Sequence, residues 1–163
     1  MTAVSGDGER VCQVVLGDLD APDVIDLLAL HATQMLEETP PESAHSLDAL
    51  ALREFDVTFW TAHLDGDLAG CGALRELDAH HGEIKSMRTA PTHLRKGAAD
   101  TVLTTIVSEA RVRGYRRLSL ETGSGPTFDA AERLYLKHGF VECGPFADYR
   151  LDPHSRFMTV ELD

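Results

Sequence analysis

Apolar residues along this chain switch between two spacings, and each switch marks an element boundary. Val102, Leu103, Ile106, Val107 and Ala110 share one face of a 3.6-residue period, which predicts an amphipathic helix from Gly97 to a stop at Gly114. Ile25, Leu28, Ala32, Met35 and Leu36 repeat that pattern. Asp20-Ala-Pro-Asp23 supplies a capping residue and an early proline ahead of them, so a helix runs to about Glu38, where Pro40-Pro41 ends it. Ala131, Leu134 and Tyr135 predict another over 128–138, and Leu47–Leu52, behind Ser46 as a candidate cap, a short further one.

Elsewhere the apolar runs shorten and become β-branched. Arg10–Leu16 and Val57–Leu64 read as strands, and Leu68–Leu77 follows Asp65-Gly66, a strong hairpin signal. Glu83–Ala90 is a strand closed by Pro91; Arg117–Glu121, Phe140–Cys143 and Phe157–Leu162 complete the set. The order β-α-(α)-β-β-β-α-β-α-β-β implies a mixed α/β (α+β) fold in one domain spanning residues 1–163, with about residues 1–8 frayed.

The 43% hydrophobic and 26% charged content is that of a globular protein, but fifteen basic against twenty-seven acidic residues gives a net charge of −12. Nucleic acid and anionic membranes need a broad cationic face, so neither is an expected partner. Cys12, Cys71 and Cys143 show no C-x-x-C spacing and read as small buried hydrophobes of a reduced, cytoplasmic protein, a reactive thiol being the alternative. The first residues lack the basic start and apolar core of a signal peptide, and no apolar run is long enough to span a bilayer. The histidines show no metal-ligand spacing, so no metal is expected. Neither G-x-x-x-x-G-K-[ST] nor G-x-S-x-G occurs, which disfavours nucleotide triphosphatase and serine hydrolase chemistry.

Local charge tells a different story at one helix start. Arg95, Lys96 and Gly97 crowd together where the 97–114 helix begins. A helix N-terminus leaves N–H groups unpaired and carries partial positive charge, so this turn suits a phosphorylated ligand. Gly97 lets a backbone approach a pyrophosphate, Ala98 and Ala99 keep the turn free of bulk, and the amides through Asp100 complete the grip.

Two segments together resemble the GNAT superfamily of acyl-CoA-dependent N-acyltransferases. M-R-T-A-P-T-H-L-R-K-G-A-A-D-T-V-L is similar to that family's acetyl-CoA motif, a strand, a proline, then Q/R-x-x-G-x-G/A opening a helix. A-A-E-R-L-Y-L-K-H-G-F is similar to its second motif, A-x-x-L-Y-x-x-x-G-F. The resemblance covers nearly the whole chain and implies a mostly antiparallel central sheet flanked by helices. Two departures stand out: Leu94 sits where glutamine or arginine is usual, with Arg95 one place later, and Phe128 takes a position often held by asparagine.

The resemblance also implies roles. The strand at Met87, Arg88 and Thr89 would splay from its neighbour and offer backbone groups to pantetheine. Tyr135 would protonate the departing thiolate. Glu83 would accept the ammonium proton through water, with Glu121 the competing base. Lys85 and Arg88, three places apart in one strand, should point to opposite faces, one pairing with Glu83 or Glu121 and the other meeting a substrate carboxylate, structural pairing being the alternative. Thr122-Gly-Ser-Gly125 is either a rim of the acceptor pocket or a plain loop. The expected activity is acetyl transfer from acetyl-CoA to a primary amine of a small molecule in a ternary complex; a non-catalytic CoA-binding regulatory module and a longer-chain acyltransferase are the alternatives. An acidic surface favours a cationic acceptor and Arg88 an anionic one. Pairing into a homodimer through the C-terminal strands is a further implication of the resemblance.

Overall fold

In the computed structural model, which describes residues 2–4, 12–38, 40 and 50–163, the elements from Cys12 onward follow that order. They are β1 (Thr2–Val4), β2 (Cys12–Leu16), α1 (Pro22–Glu38), β3 (Val57–Leu64), β4 (Asp67–Asp78), β5 (His81–Thr89), α2 (Ala98–Val112), β6 (Arg117–Gly123), α3 (Asp129–Lys137), β7 (Val141–Cys143) and β8 (Ser155–Glu161). The strands form one eight-stranded sheet ordered β1-β2-β3-β4-β5-β6-β8-β7, antiparallel everywhere except between β5 and β6.

Turn chemistry explains the hairpin and the end of α2. Asp65 and Gly66 take φ of 51° and 86°, the left-handed pair that matches strand twist and joins β3 to β4. Gly114, at φ 80°, ends α2, and the Tyr115 amide reaches back to the Ala110 carbonyl. Each face of the sheet buries a separate core. On one, α2 contributes Val102, Leu103, Ile106 and Ala110, packed with Leu74, Leu118 and Leu120. On the other, Val24 and Leu27 of α1 close over Phe59, Cys71 and Ala73. Each buried valine, leucine, isoleucine or phenylalanine among them contributes roughly 1.5–3 kcal/mol.

Three expectations are corrected here. Thr2–Val4 is an edge strand paired with β2 and not part of a frayed end. Asp20 does not cap α1; its carboxylate accepts a hydrogen bond from Arg53 at 2.6 Å. Of the short helix expected over 47–52, Ala51–Arg53 is a single 3-10 turn, while Ser46 and residues 47–49 lie outside the described residues.

Candidate active site

The site begins where two strands part. β5 and β6 pair from His81↔Arg117 to Ile84↔Leu120, and β6 then continues only against β8 while β5 continues only against β4. The cause lies within β5. Cys71 pairs with Arg88 and Ala73 with Lys85, so Ser86 and Met87 together oppose Gly72 alone. This is a β-bulge, with Ser86 at φ 56°. A bulge bends its strand and sharpens the local twist, here carrying β5 away from β6. Gly72 is the small residue the bulge requires: a Cβ there would lie 2.5 Å from Met87 Sδ and 2.7 Å from Val102 Cγ1. The gap opens into a cavity of about 710 Å³.

One wall is the start of α2. Gly97, at φ 84°, is its N-cap and Arg95, at φ 62°, precedes it. The first helical bond runs from the Thr101 amide to the Gly97 carbonyl at 3.0 Å. The amides of Ala98, Ala99 and Asp100 therefore face the open end. Gly97, Ala98 and Ala99 line the cavity beside Leu94 and Arg95, and Lys96 reaches the Thr92 carbonyl at 3.4 Å. The Asp100 carboxylate turns away to Lys137 and to His138 at 2.9 Å, and the hydrogen bond from Lys137 lowers its pKa. Only its backbone belongs to the turn. Phe128 packs its ring over Gly123, where a Cβ would meet it at 2.2 Å, and forms an apolar wall in place of an amide.

Tyr135 reaches the cavity from α3. It is 6% exposed, edge-on to Phe140, and burial, then the nearby Glu121, raises its pKa. The phenol therefore stays protonated and can donate. Glu83 and Glu121 both line the cavity. Glu83 pairs with Ser119 across the parallel ladder, and Glu121 follows Ser119 by two, so both carboxylates share one face. Glu83 is only 2% exposed, and its Oε2 accepts hydrogen bonds from Tyr149 at 2.5 Å and from Lys85 at 3.4 Å. Lys85 also donates to the Tyr149 hydroxyl at 2.7 Å.

The expected opposition of Lys85 and Arg88 is overturned by the bulge. One extra residue between them restores the alternation, so they pair with Ala73 and Cys71, which share a face two residues apart. Lys85 joins Glu83 and Tyr149, while the Arg88 cation acts on His31 of α1.

Sequence reasoning missed several cavity residues, Tyr149, His31, Gln34 and Ser86 among them. Tyr149 sits in the 144–154 connection, 66 positions from its partner Glu83, and joins a ring cluster with Phe146 and Phe157. Its pKa is raised, first by burial and then by Glu83. His31 and Gln34 lie on the cavity side of α1, and Ser86 is the bulge itself. No motif marks them; the one available hint was a polar His-Gln pair three apart in an otherwise apolar helical face.

Among the described residues, no group of three or more histidine, cysteine, aspartate or glutamate side chains could hold a metal, and no helix is long and apolar enough to cross a membrane.

Comparison with known proteins gives a consistent result. A model of the acetyltransferase (GNAT) family matches residues 24–140. The chain is 54% identical to the uncharacterized N-acetyltransferase YedL of Escherichia coli, over 89% of this chain and 91% of that one. It is 52% identical to the uncharacterized N-acetyltransferase YsnE of Bacillus subtilis, covering 91% and 99%. An IAA acetyltransferase of Azospirillum brasilense is 39% identical over 76% and 80%. Among solved structures, one from Klebsiella pneumoniae described as an acyl-CoA N-acyltransferase superposes with a TM-score of 0.75 at 25% identity, over 93% of this chain and 98% of that one. An acetyl-CoA-bound GNAT acetyltransferase from Elizabethkingia anophelis gives 0.65 at 19% identity, with the same coverage, which speaks to the fold alone.

Proposed function

The chain belongs to the acetyltransferase (GNAT) family and is an N-acetyltransferase, and from that premise we propose that it moves an acetyl group from acetyl-CoA to a primary amine of a small molecule, both bound together. The observation that carries this reading is the splay. Past Ile84 the β6-facing backbone groups of β5 have no strand partner among the described residues, and the open amides of α2 stand at the same cavity. The first suits the amides of a pantetheine arm, as a peptide adds to a sheet edge. The second suits a diphosphate. The residues present therefore fit coenzyme A: Met87, Arg88 and Thr89 through their backbones, Gly97, Ala98, Ala99 and Asp100 through their amides, and Arg95 and Lys96 as neighbouring cations.

Bound acetyl-CoA supplies an activated acyl carbon and a thiolate leaving group, the amide bond forming as the carbon–sulfur bond breaks. Tyr135 donates its phenolic proton to the sulfur. Glu83 takes the proton lost by the amine, relayed through the Tyr149 hydroxyl, which passes its own proton to Oε2. Lys85 holds that hydroxyl in place. Glu121 is the competing acceptor, favoured by its place one residue beyond the last β5–β6 pair.

Kinetics of single variants separate these roles. Tyr135→Phe and Glu83→Gln are each expected to lower kcat by about 10²-fold or more with the KM for acetyl-CoA little changed. Full turnover in Tyr135→Phe removes that residue from the mechanism, and a larger loss in Glu121→Gln than in Glu83→Gln transfers the base role to Glu121. Calorimetry that finds no coenzyme A binding to folded protein overturns the whole reading.

A further inference from the structure

The cavity has a second polar end that the transfer chemistry does not use. His31 Nδ1 and Gln34 Oε1 on α1, and Ser86 Oγ at the bulge, are buried side-chain atoms with no hydrogen-bond partner. Buried polar atoms are normally satisfied, and leaving one bare costs about 1–3 kcal/mol. Three of them at one cavity mark a place where a polar group from outside belongs. All three residues line the cavity, together with Arg88.

Arg88 brings a positive charge to that end. The Arg88 guanidinium is near enough to His31 to help hold its pKa down to about 4, burial being the larger cause, so His31 is neutral at ordinary pH. A neutral imidazole offers one N–H, Ser86 offers a hydroxyl, and the Gln34 amide presents N–H groups when its two terminal atoms exchange places. A guanidinium sharing a cavity wall with neutral donors is the chemistry of carboxylate recognition. The Glu83 carboxylate lies toward the other end of the same face, Glu83 being opposite Arg75 and Arg88 opposite Cys71, about 13 Å apart along the strand at ~3.3 Å per residue.

We propose that the acceptor is an amino-acid-like molecule whose carboxylate is received by Arg88, His31, Gln34 and Ser86 while its amine faces Glu83 and Tyr149. This deepens the acetyltransferase reading and rests on it. The two ends of the cavity carry opposite charge in the order a zwitterion requires, cation for the carboxylate and anion for the ammonium. Arg88 is then a specificity residue, and the bulge serves recognition as well as the splay, because without the extra residue its side chain would emerge on the α2 face.

Acetyl transfer to the common L-amino acids, each compared with its own carboxamide, tests this directly. The carboxamide keeps the size and removes the carboxylate charge; its amine is also less basic, which leaves more of it as free nucleophile, so a preference for the acid is the more telling. The accepted amino acids are expected to exceed their carboxamides at least tenfold in kcat/KM, Arg88→Gln to collapse that ratio, and Arg88→Lys to restore part of it. Carboxamides used as well as acids by the unaltered enzyme, or a ratio that survives in Arg88→Gln, overturn the proposal. If no amine in the panel is acetylated, the assignment of a small-molecule amine fails by itself. Calorimetry of the same amino acids on the CoA-loaded protein then decides the subsite: binding that Arg88→Gln abolishes upholds it, and no binding overturns it.

Discussion

At the scale of single residues, the site is made by side chains whose surroundings restrict what they can do. His31 is the clearest titration. Burial and Arg88 hold its folded pKa near 4, below the ordinary 6.5, so the folded state refuses a proton that the unfolded chain accepts. The stability this contributes is complete above about pH 6.5 and falls as pH drops toward 4, by an amount on the order of 3 kcal/mol. Urea unfolding across that range should show the loss, and His31→Phe should flatten it. Gly72 is a steric case. Its missing side chain is replaced by Met87, Val102 and Ile106, so Gly72→Ala should cost about 1–3 kcal/mol in denaturant unfolding. Cys71, 1% exposed and with burial pushing its thiol up to about 12, should resist alkylation in folded protein and react at once in urea. The place of Gly97 at a helix start was legible in the sequence, and the family resemblance singled out Tyr135 and Glu83, which line the same cavity. Tyr149 was not, because its meaning depends on a partner 66 positions away.

At the scale of elements, local rules were followed closely wherever one segment could satisfy itself. The Asp65-Gly66 hairpin, the Gly114 stop and the apolar face of α2 all formed where composition and spacing placed them. The β5 bulge did not show itself, because a strand with one extra residue has the same composition as one without. That single residue reversed the relation of Lys85 to Arg88. The α2 N-terminus is an element-scale device with a separable test. A Cβ on Gly97 would meet nothing within 4 Å, yet φ 84° is costly for a β-branched residue. Gly97→Val should weaken coenzyme A binding tenfold or more by calorimetry, while lowering Tm by only a few degrees.

At the scale of the whole molecule, a net charge of −12 surrounds a cavity that is proposed to receive the diphosphate of coenzyme A and the carboxylate of a zwitterionic acceptor. Such excess charge destabilises a compact chain by self-repulsion that salt screens within about 8–10 Å. Tm should therefore rise by a few degrees between low salt and about 0.15 M sodium chloride, and a flat profile would show the charges to be locally balanced. The sequence by itself determined the order of elements from Cys12 onward and the phosphate-suited helix start, because periodicity, turn chemistry and helix-end dipoles act over a few residues. Only the tertiary structure decided which side of the sheet each charged residue occupies and which distant groups meet it. Register across strands is fixed by pairing with a neighbour, and a bulge inside one strand shifts every side chain beyond it to the other face.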